Sequence, residues 1–179
     1  MTLTLPASGL MAGLRFTVDT INDSWMPWLT APAGGQAWGT ANRAIYIPVR
    51  FPTSGVVKEL GYVAEGSAAT GNIDIGLYDA SGTRLCSTGS QTKALSDTVA
   101  VFDVTDTTVQ RGLYYLALNN STTTDTFYAD IPAAPNLAAR GVLTEAVGAV
   151  TLPATATWAL NQTLALFPVI VALMVTEVS

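Results

Sequence analysis

Two carboxylates stand close together in NIDIGLYDASGTRL, residues 72–85: Asp74 and Asp79, with Ser81, Gly82 and Thr83 just behind. Paired acids can hold a calcium ion or serve as the acid and base of a glycosidase. An EF-hand loop takes acids at alternate positions, a central glycine and a closing glutamate. Only an Asp and a Gly fit here, and the glutamate is missing. A less regular calcium site, with backbone carbonyls and a distant acid, stays open. Glycosidase carboxyls must face one substrate across roughly 5–10 Å. Nothing in the local pattern makes these two converge. Ile73, Ile75 and Leu77 alternate with Asp74, Gly76 and Tyr78, so the apolar set faces a core and Asp74 points outward. Asp79 opens Asp-Ala-Ser-Gly, where a carboxylate at the first turn position accepts local N–H groups. Gly82 falls where the chain needs positive φ to re-enter a strand. The stretch reads as a hairpin, with Asp79 a turn-former and Asp74 a solvent-facing or inter-subunit carboxylate.

Other candidates are thinner. In VFDVTDTT, residues 101–108, Asp106 before two threonines suits a turn and Asp103 suits a strand end. The chain has no histidine, which removes the commonest general base and zinc ligand. Its single cysteine, Cys86, excludes an internal disulfide and lies in an alternating stretch, as a small half-buried strand residue would. GxSxG, GxxxxGK[ST] and CxxC are all missing. No catalytic, cofactor-binding or metal-ligating residue is assigned. Tyr46, Tyr62, Tyr78, Tyr114, Tyr115 and Tyr128 could stack on sugars, but six tyrosines spread over five strands suit core and sheet packing better.

The elements that position these residues are strands. Ile45, Ile47, Val49 and Phe51 alternate with Tyr46, Pro48 and Arg50. Pro48 cannot donate to a ladder, so that strand is an edge or carries a bulge. Leu60, Tyr62 and Ala64 share a face opposite Glu59, Gly61 and Glu65. Residues 84–92, 98–104, 112–120 and 126–130 follow as strands, with 112–120 apolar on both faces and therefore central. Residues 131–162 form a long excursion with a short helix near 133–140. The apolar run at 164–175, interrupted by Pro168, is too short for a bilayer span and suits a buried strand. Seven or eight short strands without a long helix predict an all-β, single antiparallel β-sandwich of jelly-roll type over residues 42–179.

Residues 1–41 read differently. NDSWMPWLTAPAGGQAWGT, residues 22–40, holds three of the four tryptophans and no sustained periodicity. It predicts an extended N-terminal arm that packs back on its own domain or docks on a neighbour. Trp25, Met26, Trp28 and Trp38 are the expected partner contacts, since Trp and Met are enriched in interface cores.

Composition narrows the partners. Charged residues are 12% of the 179-residue chain and hydrophobic residues 49%, so much of the surface must be Thr, Ser, Asn, Gly and Ala. Such a surface suits packing against neighbours. Net charge is −5, with two lysines and six singly scattered arginines; a nucleic-acid partner would need clustered cations. No membrane partner is expected. The start, MTLTLPASGL, lacks a basic n-region, so no secretory signal is expected.

Asn42-Arg43-Ala44, Gly71-Asn72-Ile73-Asp74 with Gly76-Leu77-Tyr78, and Gly112-Leu113-Tyr114-Tyr115-Leu116 resemble a family of small β-sandwich proteins from tailed bacteriophages. The resemblance covers residues 42–130, and GVLTE, WALN and the late PV fit its tail end. It implies a jelly-roll-like virion component without enzymatic activity, frequently a trimer, and it transfers no functional residue. The expectation is therefore a capsid decoration (cement) protein, bound to the major capsid protein or other virion proteins, assembled in the host cytoplasm and located in the virion. The alternative is a tail or head-fibre tip whose tyrosine-bearing faces and loops 66–71 and 119–126 bind host glycans. A free carbohydrate-binding module would call for a linker and a catalytic neighbour, which the sequence does not contain.

Overall fold

The computed structural model describes residues 14–19, 33–65, 71–94, 98–130, 134–161 and 166–176. In chain order the strands begin with β1 (Leu14–Asp19), β2 (Ala33–Ala37), β3 (Arg43–Phe51), β4 (Gly55–Ala64) and β5 (Asn72–Asp79). They continue with β6 (Arg84–Ser87), β7 (Gln91–Thr92), β8 (Thr98–Val109), β9 (Gly112–Asn120) and β10 (Thr126–Asp130). A short helix α1 (Ala134–Ala139) precedes β11 (Leu143–Ala146), β12 (Ala159–Leu160), β13 (Phe167–Pro168) and β14 (Ile170–Thr176).

These strands make two antiparallel sheets packed as a sandwich, the all-β architecture expected from the alternation. One sheet runs β1-β14-β4-β10-β13, with β8 also on β4 and β2 also on β10. The other runs β12-β11-β3-β9-β5-β6, with β7 also on β5. The alternating apolar positions meet between them. Ile45, Ile47, Val49, Leu60, Tyr62, Ala64, Ile73, Ile75, Leu77, Leu116 and Leu118 all lie in one buried cluster. β9 is central, hydrogen-bonded to β3 and β5 on its two sides, as its two-faced apolarity requires. Cys86 belongs to the same cluster and is more enclosed than the half-buried position expected of it.

The prolines sit where pairing changes. β11 pairs β3 only over Arg43–Tyr46, so beyond Tyr46 that side of β3 is an edge, and Pro48 stands there. Pro168 ends β13, which pairs β10; after Val169 the chain resumes as β14, which pairs β4. A residue without an N–H is tolerated at such a break.

Parts of the expected arm are strands of the first sheet. β1 pairs residue for residue with β14 from Leu14↔Thr176 to Asp19↔Val171, and β2 pairs β10. Two segments within residues 1–41 thus extend the sandwich sheet, because β14 and β10 offered unpaired ladder groups there. Trp25, Met26 and Trp28 lie outside the described residues.

The expectation for 101–108 is corrected. β8 runs unbroken to Val109, so neither Asp103 nor Asp106 ends a strand or makes a turn. Asp106 is exposed and forms an ion pair with exposed Lys58 on the neighbouring β4. The threonines that suggested a turn are equally good strand residues when their other face packs.

Candidate functional site

The outer face of the second sheet is where the sequence's best chemical candidates gather. Asp74, Gly76 and Tyr78 of β5, Tyr46 of β3, and Ala117 and Asn119 of β9 alternate away from the main core. They do not meet solvent. Residues 147–158 cross over them as a strap, and Ala44, Tyr46, Tyr78, Ala117 and Leu152 form a second buried cluster, flanked by Tyr115, Leu143, Val147, Ala156 and Trp158.

Asp74 is therefore not a solvent-facing carboxylate. It is fully buried. Its Oδ2 accepts the Leu152 N–H at 2.8 Å and its Oδ1 accepts the Thr88 hydroxyl at 3.2 Å. Burial pushes the carboxyl above the usual carboxylate range, opposed by those two hydrogen bonds and by the Arg84 charge. Strand alternation assigned the face correctly, but a segment more than seventy residues downstream covers that face.

The strap has no ladder of its own through most of its length, so β5, β6 and β9 satisfy its backbone. The Asn119 amide donates to the carbonyls of Ala149 and Val150, each at 2.8 Å. The Tyr78 hydroxyl donates to Pro153 O at 2.6 Å. Arg84 donates to Leu152 O through its guanidinium and to Ala154 O through its backbone N–H. Thr83 bridges Thr155. At the strap's far end the Tyr46 hydroxyl and the Thr157 hydroxyl donate to the two oxygens of Glu145 at 2.9 and 2.6 Å. Burial raises the Tyr46 and Tyr78 hydroxyls well above their ordinary value, so both stay protonated donors.

Asp79 takes the turn role its context predicts. Its Oδ1 accepts the backbone N–H groups of Ser81 and Thr83 at 2.8 and 2.9 Å and the Ser81 hydroxyl at 2.6 Å. The Ser81 bond is the main reason its carboxyl lies below the usual range. Gly82 has φ +91°, the left-handed region the turn requires. Asp74 thus faces the strap while Asp79 closes its own turn, and the two share no site. Among the described residues no group of three or more Asp, Glu, Cys or His is placed to hold a metal ion.

The other candidates also resolve into packing. Tyr46, Tyr62 and Tyr78 are fully buried, which removes them from any sugar platform. Burial pushes the Tyr62 hydroxyl up to about 12. Tyr115 and Trp158, partly exposed, stand 4.6 Å apart between ring centroids. Trp38 is fully buried and lies 5.1 Å from Phe127 in the main core. Its side chain has no surface to offer a partner, so its place among the expected contacts is corrected: the indole stands directly after β2 and is enclosed inside the sandwich beside β10. A hollow of about 220 Å³ opens on the outer face of the first sheet, lined by Lys58, Glu59, Asp103, Leu173, Met174 and Val175. It lies where β4 changes register against both β8 and β14.

Sequence reasoning missed the strap, Arg84 and Asn119. The signal available was weak: an unusually long non-periodic stretch with Leu152 and Trp158 as its large apolar residues.

No family model matches the chain, and no curated protein matches it. Among solved structures it is similar to the infectious bursal disease virus Gx strain, at 10% identity and a TM-score of 0.35 over 96% of this chain and 37% of that one. It is similar also to the infectious bursal disease virus VP2 subviral particle, at 9% identity and a TM-score of 0.34 over 97% and 45%. A ruminal GH26 endo-beta-1,4-mannanase matches at 16% identity and a TM-score of 0.32 over 77% and 26%. The chain thus spans less than half of each of these proteins. Viral capsid proteins and a glycosidase appear side by side, and at such scores neither says what this chain does.

Proposed function

We propose that this chain is a non-enzymatic structural protein of a bacteriophage virion, a decoration (cement) protein that stabilises the head by bridging capsid subunits. The observation that carries the reading is the use made of its polar groups. Asp74, Asp79, Asn119, Tyr46, Tyr78 and Glu145 all hold backbone or one another in place. The fold spends its chemistry on rigidity. The resemblance of residues 42–130 to phage sandwich proteins and the 12% charge support the same reading.

Bridging would work by burying apolar surface between subunits, at about 25 cal/mol per Å² less the cost of association. Exposed Val99, Val101, Leu113 and Leu160 are available for it, and the sequence-based contacts Trp25, Met26 and Trp28 are proposed to join them. A homotrimer is the expected assembly, with the major capsid protein as partner. Virions lacking the protein should lose their genome at lower temperature and lower ionic strength than wild type. Equal survival of the two would sink the cement role, and gold-labelled antibody on the tail instead of the head would redirect it to the fibre-tip alternative.

A further inference from the structure

The hollow on the outer face of the first sheet has an acidic rim. Asp103, Glu59 and Leu173 stand in one row across β8, β4 and β14. With Met174 and Val175 they line the hollow, so two carboxylates stand over an apolar floor. Like charges directly opposite on neighbouring strands repel. Among the described residues neither carboxylate has an ion-pair partner, since Lys58, the cation of the hollow, is held by Asp106. On β1, Arg15 and Asp19 stand in register with Val175 and Val171 and leave the net charge of the face unchanged. Val99 and Val101, 54% and 41% exposed, continue the apolar surface along β8.

The complementary surface lies on the other sheet. Arg50 is exposed on the outer face of β3, directly opposite Leu113 of β9, and Leu113 is 40% exposed. Arg111, in the turn between β8 and β9, is exposed too. Asp79, beside them at the end of β5, closes its own turn through Oδ1. Arg50 and Arg111 are the cations left without a task among the described residues. Lys58 is paired, Lys93 is buried, Arg84 binds Leu152 O, Arg140 is half-buried and Arg43 is engaged elsewhere. Arg50 cannot serve the hollow of its own chain, because both sheets and the core between them separate the two outer faces.

We propose that the hollow receives Arg50 and Leu113 of a second copy of this chain, so that copies associate head to tail through unlike surfaces. The guanidinium lies between the Glu59 and Asp103 carboxylates, where its planar fork of donors can serve both. The leucine lies against Leu173 and Val101. A contact between unlike surfaces closes into a ring or runs on as a filament. The closed form is the homotrimer already proposed, and only the number of copies in the ring rests on that reading.

Light scattering on the purified full chain tests this. Wild type should exceed the mass of one chain at low ionic strength and fall toward it as salt rises. Asp103→Lys spoils the hollow, and Arg50→Thr with Leu113→Thr removes the surface that enters it. Each variant should be monomeric, with the far-ultraviolet spectrum of wild type. Mixed in equal amounts they should form a pair of twice the chain mass and nothing larger, because each keeps the surface the other has lost. Glu59→Lys is a second hollow variant and should behave as Asp103→Lys does. A wild type that stays monomeric at every concentration and salt overturns the proposal. So does an Arg50→Thr, Leu113→Thr protein that assembles as wild type does, or a mixture in which neither hollow variant forms the pair. Head stability is a separate readout: a monomeric chain on a protected head sinks this contact alone, and an assembled chain on heads that survive without it sinks the cement role alone.

Discussion

At Asp74, burial and hydrogen bonding pull the carboxyl in opposite directions, and burial wins. The sign of its pH effect follows. A folded-state pKa raised above the unfolded value of about 3.9 gives a contribution that is complete below that value. It is lost as pH rises through the folded one. Asp74→Asn keeps an oxygen for the Leu152 N–H and offers an amide to Thr88, whose hydroxyl can turn wholly to Gly89 O at 3.0 Å. We expect urea midpoints of wild type and Asp74→Asn to agree near pH 4 and to diverge above it, with the Asn protein the more stable. Asp74→Ala strands the Leu152 N–H and should cost about 1–3 kcal/mol near pH 4, the difference from wild type shrinking as pH rises. Asp79 titrates in the opposite sense: its carboxyl is held low, so its contribution is present above the unfolded value and fades as pH falls through the folded one.

The strap shows how an element without its own ladder can be rigid. It is held by side chains of β5, β6 and β9 and seated by Leu152 on the tyrosine layer. Gly76 makes the seat, since a Cβ there would come within 2.9 Å of Leu152 Cδ1 and 3.0 Å of Tyr78 Cε2. Gly76→Val should lift the strap, and Leu152→Ala should cost about 2–5 kcal/mol through the cavity it leaves. Trp158 packs on Tyr46 at 5.3 Å, so its red-shifted emission and faster backbone exchange across residues 147–158 would report the lifting. Unchanged exchange in both variants would show that the strap is held by its polar contacts alone.

Across the whole molecule, the two sheets share a core in which Trp38 is the largest fully buried side chain. Trp38→Ala should lower stability by about 3–5 kcal/mol in a denaturant titration. Trp38→Phe, which keeps much of the packing, should leave intact any assembly with the virion partners proposed for the chain. A Phe variant that folds but no longer assembles would return Trp38 to the contact surface. The charges tell the same story at this scale. Lys58 and Asp106 pair on the outside of the first sheet, where such a bond contributes up to about 1 kcal/mol. The two tyrosine-hydroxyl bonds on the second sheet, to Glu145 and to Pro153 O, are enclosed and matter more.

Much of the sandwich was legible along the chain because strand alternation is a local property. Ile73-x-Ile75-x-Leu77, the Asp79–Gly82 turn and the two-faced β9 needed only their neighbours in sequence to be read, and each stands where its pattern put it. Asp74, Tyr46 and Tyr78 were assigned to the correct face, the one away from the main core. What that face meets was not local information. Only the return of residues 147–158 across the second sheet turned an outward acid into a buried latch, because covering depends on contacts between segments far apart in sequence. The same holds for Leu14–Asp19: Leu14, Phe16 and Val18 alternate with polar residues, but the segment pairs along its full length with β14 at the far end of the chain, whose open edge no local pattern announces.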